Sequence, residues 1–203
     1  HATPDRRMNS KRILVTGATG FLGSRLLERL AEDRTVTVTA TGRSLKPHNR
    51  IDAPNVRYVL GDLTVDSFVD GLVQDQDAIV HAAALSSPWG SKRAFWESNV
   101  RPTELLVRAA ETHGVERLVL ISTPSMYFQM TSQWDLKEED PLPKPINQYA
   151  ASKREAERMV VAPNLERAAL LYPKPNLSIV LEPEQIRQGD HALPINRRDA
   201  RRE

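Results

Sequence analysis

A tyrosine and a lysine four residues apart, Tyr149 and Lys153, have the types and spacing that proton-transfer chemistry requires. Residues at this spacing share one face of a helix, so both side chains can reach the same substrate. A free phenol titrates near pH ~10, and a neighbouring ammonium favours the phenolate. Thr123 follows the apolar run 117–122 and could hydrogen-bond the same substrate oxygen. The three side chains predict an acid–base site that acts on a hydroxyl or carbonyl oxygen.

A glycine-punctuated turn near the start of the chain predicts a phosphate-binding loop. Gly17, Gly20 and Gly23 follow the apolar run 12–16 and lead into a helical pattern at 21–33. In such a unit the glycines make a tight turn, admit a pyrophosphate close to the backbone, and pack the helix on the strand. The N–H groups at the start of the helix then bind the anion. The residues of this turn expected to contact the cofactor are Gly17, Thr19, Gly20, Phe21, Leu22 and Gly23.

The elements that must position these residues alternate along the chain. Strand candidates lie at 12–16, 35–41, 56–60, 78–81 and 118–122, and helix candidates lie at 21–33, 65–73, 92–113 and 146–161. Such alternation indicates an α/β fold: a doubly wound parallel sheet in three αβα layers. Pro102 lies within the third helix candidate, which is therefore expected to begin there or to be kinked. The segment 129–145 is rich in charge and proline and is interpreted as a surface loop.

Several short segments occur in an order typical of one family: TGATGFLG, GDL, HAAA, SNV, STPS and YAASK. In this order, over about residues 12–158, the chain resembles the extended short-chain dehydrogenase/reductases of the NAD-dependent epimerase/dehydratase superfamily. The stretches HAAALSSPWG and ISTPSMYF are most similar to the 3β-hydroxysteroid dehydrogenase-like branch. That branch oxidises or reduces hydroxyl and ketone groups on hydrophobic substrates. The resemblance implies a Rossmann fold that binds a nicotinamide dinucleotide.

The resemblance also implies roles for the catalytic candidates. Tyr149 would be the acid/base, and Lys153 would hydrogen-bond the nicotinamide ribose while holding positive charge near the phenol. Thr123 would hydrogen-bond the reacting oxygen. Asn99 would brace the active-site helix, although it could equally cap a helix start, and the two roles are compatible.

Arg43 decides the expected cofactor. It follows the second strand candidate together with Ser44, at the place where an acidic residue would bind the ribose hydroxyls of NAD. An arginine there accommodates a 2′-phosphate, so NADP is expected and NAD is the second choice; a solvated loop arginine is the alternative. Asp62 would, by resemblance, accept a hydrogen bond from the adenine amino group, unless it is a plain turn or helix-cap residue. The other expected cofactor contacts are Leu63, Ala82, Ala83, Ala84, Tyr149 and Lys153.

His81 lies inside an apolar strand candidate and is expected to be a hydrogen-bonded core histidine, not a catalytic base. Trp89 and Trp96 follow that strand and would form either a substrate-pocket wall or core packing. The absence of cysteine excludes disulfides and zinc–thiolate sites, and no metal site is expected.

Composition is that of an ordinary soluble globular protein, which is expected in the cytoplasm, and the partner that the resemblance implies is a small-molecule substrate. The formal charge of +2 does not call for a nucleic-acid partner, and nothing approaches the ~18 consecutive apolar residues of a membrane span. The resemblance implies a possible homodimer through helices 92–113 and 146–161.

The domain organisation is expected to have three parts. Residues 1–10 are interpreted as a disordered or cloning-derived leader, residues 11–162 as the NAD(P)-binding Rossmann domain with the catalytic helix, and residues 163–203 as a divergent C-terminal segment. Family members continue with an Arg-Pro motif and a Gly-Pro-Gly-Asp-like loop. Here Glu182 stands in place of the arginine, and Gln188-Gly189-Asp190 looks like an altered loop. The substrate domain is therefore expected to be missing or curtailed.

The function that fits these observations is hydride transfer between nicotinamide and a carbon that bears a hydroxyl or ketone group, with Tyr149 as acid/base. One alternative is a nucleotide-sugar epimerase or dehydratase that keeps its NAD bound. Another is a non-catalytic dinucleotide-binding sensor, which the presence of Thr123, Tyr149 and Lys153 disfavours. A shortened chain that folds without turnover is a further possibility.

Overall fold

The computed structural model describes residues 10–87, 89–128 and 141–171, with side chains described through residue 161. It contains a parallel sheet of five strands in the spatial order β3-β2-β1-β4-β5. The strands are β1 Lys11–Thr16, β2 Val36–Thr41, β3 Val56–Tyr58, β4 Ala78–His81 and β5 Arg117–Leu120. Each coincides with a predicted strand, with ends that differ by at most two residues. The chain reverses its direction of travel across the sheet between β1 and β4, where the carboxyl ends of the strands form a crevice.

Helices cover both faces of the sheet. They are α1 Phe21–Glu32, α2 Asp66–Val73, α3 Lys92–Phe95, α4 Arg101–Thr112 and α5 Gln148–Leu171. Successive residues of a strand point to opposite faces, and β1 shows the result. Leu14 packs in one buried cluster with residues of α2 and α4, whereas Val15 packs in a second cluster with Leu27 of α1. The predicted doubly wound, three-layer αβα architecture is therefore confirmed.

The third predicted helix is continuous but bulged. A π-helical turn, Trp96–Val100, separates α3 from α4, and the Arg101 N–H donates to the carbonyl oxygen of Trp96, five residues earlier. Pro102 follows immediately and has no N–H to continue an α-helical ladder. A helix start or kink is predicted at Pro102; the structure instead has a continuous helix with a π-bulge just before this residue, a feature that often lies at functional sites.

The last helix differs from its predicted range of 146–161 at both ends. It begins at Gln148 because Asn147 caps it: the Asn147 side-chain oxygen accepts from the Ala150 N–H at 2.8 Å, and its carbonyl accepts from the Ala151 N–H at 3.1 Å. It continues to Leu171 because the sequence after Pro163 is rich in strong helix formers. The predicted end was wrong, and the predicted domain boundary at residue 162 falls inside this helix.

Several predicted features lie outside the described residues. These are the leader up to residue 9, most of the predicted loop (129–140), and the altered C-terminal motifs at 182–190. Residues 141–145, the described end of that loop, have no regular secondary structure. Within the described part of the chain, no helix is long and apolar enough to cross a bilayer.

Candidate active site

Two of the three glycines after β1 are required by the packing of the protein itself. Gly17 has φ +65°, and a Cβ there would lie 2.6 Å from the backbone nitrogen of Ala83. A Cβ on Gly23 would overlap the carbonyl oxygen of Gly17, so the first turn of α1 lies directly against the loop. The turn after β1 therefore contacts both the loop after β4 and its own helix.

Gly20 is different, because the surrounding protein leaves open space where its side chain would lie. A Cβ at this position would meet only the Gly17 carbonyl oxygen, at 3.2 Å, and φ is −87°. No side chain caps the start of α1, and its first turn carries no acidic residue. Since the first N–H groups of a helix have no intrahelical partners, this end can receive an anion. The open position at Gly20 forms a cradle that a side chain would fill and that a pyrophosphate fits.

The adenosine-side candidates lie next to this cradle. A Cβ on Gly42 would lie 2.5 Å from the hydroxyl of Thr19. The loop that carries Arg43 and Ser44 therefore packs directly against the glycine-rich turn. Both Arg43 and Ser44 are exposed. The structure therefore places the candidate 2′-phosphate contact at the same end of the sheet as the candidate pyrophosphate site.

Asp62 forms a turn. One of its carboxylate oxygens accepts hydrogen bonds from the Thr64 N–H and the Thr64 hydroxyl, each at 2.9 Å. These two bonds lower the pKa of the Asp62 carboxyl below its ordinary value, and the positive charge of Arg43 adds to the effect. Of the two roles expected for Asp62, a turn residue or a contact to adenine, the structure shows the turn. Arg43 lies close enough for its charge to act on Asp62. Leu63, also a predicted cofactor contact, places its side chain in the core cluster under α2.

The loop after β4 forms the other wall of the crevice. The Ala82 N–H donates to the carbonyl oxygen of Thr16, and the Ala83 N–H donates to the Thr16 hydroxyl, each at 3.2 Å. Ala82, Ala83 and Ala84 are partly buried. Their small side chains leave the backbone close to the crevice, as a dinucleotide site at a topological switch point requires.

Tyr149 and Lys153 lie in the first turns of α5, and each is only 3% exposed. The Lys153 ammonium donates to the carbonyl oxygen of Ile121, just past β5, at 2.5 Å. The Tyr149 ring packs against Phe95 of α3, with ring centroids 6.1 Å apart and planes inclined by 53°. Thr123 is also buried, in the segment after β5 on which α5 packs. The structure therefore brings the three predicted catalytic residues to one end of the sheet.

The Thr123 hydroxyl is held by a neighbour that the sequence reasoning missed. It donates to the Ser125 hydroxyl at 3.0 Å and accepts from the Ser125 N–H at 3.2 Å. Ser125 belongs to the STPS segment, but its type and spacing alone gave no signal for this contact. The pair fixes the position of the Thr123 oxygen.

Asn99 joins the π-bulge to α5. Its side-chain nitrogen donates to the Ser152 hydroxyl at 2.9 Å, and that hydroxyl donates to the carbonyl oxygen of Tyr149 at 2.7 Å. Asn99 also accepts from the Leu85 N–H at 2.7 Å and donates to the Leu85 carbonyl at 3.2 Å. The alternative that Asn99 caps a helix start is wrong, because Asn99 lies inside the π-helical turn and Ser91 caps α3.

His81 is a core histidine, as predicted. It is fully buried, and its two ring nitrogens pair with the hydroxyls of Thr16 at 2.7 Å and Thr103 at 3.0 Å. Burial, with a smaller contribution from the positive charge of Lys153, lowers the pKa of His81 from 6.5 to about 3. The sequence reasoning missed Thr103, although its spacing of four residues from Asn99 places both on one helix face.

The two tryptophans have different surroundings. Trp89 is 84% exposed, so core packing is the wrong interpretation for this residue. Trp96 packs its ring against the Lys92 ammonium, 5.2 Å from the ring centroid. Among the described residues, no group of three or more His, Asp or Glu side chains could hold a metal ion.

Comparison with known proteins decides the family. The model of the NAD dependent epimerase/dehydratase family matches residues 13–169, which include the glycine-rich turn, the crevice and nearly all of α5. The chain belongs to this family. The predicted family resemblance is thereby confirmed, and with it a fold that binds a nicotinamide dinucleotide.

Members and neighbours of this family perform several reactions. The chain is 35% identical over 169 residues to a 2-alkyl-3-oxoalkanoate reductase from Stenotrophomonas maltophilia, covering 82% of this chain and 50% of the reductase. It is 35% identical over 166 residues to a dTDP-glucose 4,6-dehydratase from Streptomyces niveus, covering 74% and 48%. The solved structure of the Bordetella bronchiseptica enzyme WbmH in complex with NAD+ is 26% identical, with a TM-score of 0.69 over 75% of this chain and 52% of WbmH. The chain thus spans about half the length of the curated relatives it matches.

Proposed function

We propose that the protein is an NADP(H)-dependent oxidoreductase that interconverts a ketone and a secondary alcohol. The observation that carries this proposal is the convergence of Thr123, Tyr149 and Lys153, all buried, at the same end of the sheet as the cradle at Gly20. A bound nicotinamide supplies or accepts the hydride. The glycine-rich turn and the start of α1 would hold its pyrophosphate.

Side chains of this protein would protonate the substrate oxygen and stabilise the charge that develops on it. In the reductive direction the Tyr149 hydroxyl donates a proton to the developing alkoxide, and the buried Lys153 ammonium stabilises the phenolate that remains. The Thr123 hydroxyl, now bonded to Ser125, can rotate its hydrogen onto the same substrate oxygen. Because the Ser125 N–H holds the Thr123 oxygen in place, this rotation needs no backbone movement.

Ketone reduction is favoured over a dehydratase reaction by the segment after β5. Elimination of water from a sugar needs an acid to protonate the departing hydroxyl. The described residues 121–128, on which α5 packs, include no aspartate or glutamate. The similarity to a 2-alkyl-3-oxoalkanoate reductase supports a ketone substrate with an apolar portion, in agreement with the predicted 3β-hydroxysteroid dehydrogenase-like placement.

The second candidate is a nucleotide-sugar epimerase or dehydratase with bound NAD. The similarity to a dTDP-glucose 4,6-dehydratase and to the NAD+ complex of WbmH favours it. Arg43, exposed beside the glycine-rich turn, favours NADP instead, because its guanidinium can pair with a 2′-phosphate.

The test combines binding with turnover. The chain is titrated calorimetrically with NADP and NAD, and NADPH oxidation is then followed with a 2-alkyl-3-oxoalkanoic acid; dTDP-glucose with NAD is tested in parallel. We expect tighter binding of NADP and oxidation of NADPH by the keto acid that Tyr149→Phe abolishes. Turnover of dTDP-glucose alone would establish the second candidate. Tight dinucleotide binding without any turnover would favour the sensor.

The remaining sequence predictions are part of this proposal. We place the enzyme in the cytoplasm and in a homodimer whose interface is formed by helices 92–113 and 146–161. Ile146 and Val161 are 49% and 43% exposed, which leaves apolar surface at the ends of the predicted second helix. Sedimentation equilibrium tests the dimer, and cell fractionation tests the compartment. The division at residue 162 stays a prediction, which limited proteolysis tests.

A further inference from the structure

A line of buried hydrogen bonds runs behind the site and centres on His81. Its ring joins two threonines that are far apart in sequence, Thr16 at the end of β1 and Thr103 in α4. All three side chains are buried. Because none of them contacts solvent, each polar atom depends on its partners in the protein.

The direction of these hydrogen bonds follows from counting hydrogens. The Thr103 hydroxyl donates its single hydrogen to the carbonyl oxygen of Asn99 at 2.6 Å, so it must accept from His81 Nε2. Nε2 therefore carries the hydrogen, and Nδ1 of the neutral ring accepts from the Thr16 hydroxyl. The Thr16 oxygen in turn accepts from the Ala83 N–H. The whole line is fixed in one direction, from Ala83 to Asn99.

Both ends of the line reach the site. At one end, Ala83 lies against Gly17 in the crevice where the dinucleotide would bind. At the other end, Asn99 clamps the backbone of Leu85 and bonds Ser152, whose hydroxyl is bonded to the carbonyl oxygen of Tyr149. The cofactor side and the acid–base side are therefore tied to each other through the core.

We propose that His81 is a positioning residue for the reaction. Through Thr103 and Thr16 it fixes the position of the first turn of α5, which carries Tyr149, relative to the loop after β4, which carries Ala83. This inference rests on the proposed function. Hydride transfer needs the reacting atoms aligned, and a misplacement of ~1 Å can cost about 10²-fold in rate. His81 spans the two threonines with one acceptor and one donor on a single rigid ring, so the two hydrogen bonds hold the threonines at a fixed separation.

Two substitutions divide the line at different points. His81→Asn places an amide oxygen near the position of Nδ1 and keeps the acceptor for Thr16, but it does not reach Thr103. His81→Gln places an amide nitrogen near Nε2 and keeps the donor to Thr103, but it leaves the Thr16 hydroxyl without its acceptor. We expect His81→Asn to lower kcat about 10–100-fold with an NADPH Kd within about threefold of wild type. We expect His81→Gln to weaken NADPH binding as well, because it frees the loop at Ala83.

Thr103→Val breaks the same link from the other side. We expect it to reproduce the kcat loss of His81→Asn, and the double variant to lose little more than either single one. Thr112→Val is the matched control, because Thr112 is an exposed threonine of the same helix that donates to the carbonyl four residues earlier, Arg108. Its kcat should equal that of wild type. Additive losses, or a kcat in His81→Asn equal to wild type, would overturn the inference while leaving the proposed function standing.

Two readouts do not depend on turnover. Nitrogen-15 NMR of the His81 ring should show hydrogen on Nε2 and none on Nδ1 at neutral pH; the opposite tautomer overturns the inference. Amide exchange should show protection of the Leu85 N–H in wild type and its loss in His81→Asn. If the wild-type chain turns over no ketone, the proposed function fails, and exchange still decides the inference: unchanged protection at Leu85 overturns it.

Discussion

The ammonium of Lys153 is anchored on the main-chain carbonyl of Ile121, 2.5 Å away, so the second turn of α5 is tied to the residue just past β5. Lys153 is buried, and a buried charge is tolerated only when polar groups satisfy it. The bond to Ile121 therefore holds a positive charge at a fixed place near Tyr149, which precedes Lys153 by one helical turn on the same face.

Lys153→Met tests that charge while keeping most of the side-chain volume. We expect turnover to fall at least about 10²-fold and NADPH affinity to weaken, because the proposed contacts include the nicotinamide ribose. The Ile121 carbonyl loses its donor, which costs about 1–3 kcal/mol of stability. Steady-state kinetics, calorimetric titration and urea unfolding measure the three effects. Wild-type affinity in a variant that has lost turnover would limit Lys153 to the acid–base step.

Tyr149→Phe should separate chemistry from cofactor binding. It removes only the hydroxyl, so we expect turnover to fall by about 10²–10⁴-fold while the NADPH Kd stays close to wild type. Tyr58→Phe is a suitable control, because Tyr58 lies in β3, away from the proposed site. Its hydroxyl oxygen accepts a hydrogen bond from the Ile51 N–H at 3.0 Å, which has a structural role. A loss below about tenfold in Tyr149→Phe would show that another group donates the proton.

Much of this arrangement could be predicted from the sequence, because it depends on local patterns. Alternating apolar runs gave the five strands, and the spacing of Tyr149 and Lys153 gave a shared helix face. The line through His81 could not be predicted, because it joins residues that are 65 and 22 positions apart, and only the folded sheet brings them together. The π-bulge shows the intermediate case: Pro102 predicts an irregularity, but not its form.

Gly20→Val should abolish dinucleotide binding and leave the fold intact. The protein offers space for a side chain at Gly20, and the same space is where the pyrophosphate would approach. Gly23→Ala is the contrasting variant, because a Cβ there overlaps the Gly17 carbonyl and should destabilise the protein itself. Circular dichroism and calorimetric titration distinguish the two. Undiminished binding in a folded Gly20→Val protein would mean that the turn has a structural role only.

Arg43→Ala should weaken NADP binding by about 1.5–3 kcal/mol, the range for a hydrogen bond to a charged group. NAD binding should barely change, because NAD lacks the 2′-phosphate that Arg43 is proposed to hold. Arg25→Ala serves as the control, since Arg25 is an exposed arginine on α1 that pairs with Glu28 at 2.8 Å. Equal losses for NADP and NAD, or tighter binding of NAD by wild type, would refute the proposed specificity.

His81 should make the stability of the protein dependent on pH. Burial lowers its pKa from 6.5 to about 3, so between these values the unfolded chain binds a proton that the folded chain does not. Stability contributed in this way falls as the pH decreases, by up to about 1.4 kcal/mol per pH unit for a single proton. Carboxyls with lowered pKa values, such as Asp33 and Glu155, change stability in the same direction. They are common to wild type and to His81→Gln, so the difference between the two proteins isolates the histidine.

Urea unfolding of both proteins between about pH 7 and about pH 5 provides the measurement. We expect wild type to lose about 2 kcal/mol more than His81→Gln on acidification, because the slope acts over the ~1.5 pH units below the ordinary histidine value. The advantage of wild type at neutral pH, where the neutral ring satisfies both threonines, should therefore shrink as the pH falls. Parallel losses in the two proteins would mean that His81 takes up its proton in the folded state, and the hydrogen-bond direction from Thr16 to Thr103 would then be wrong.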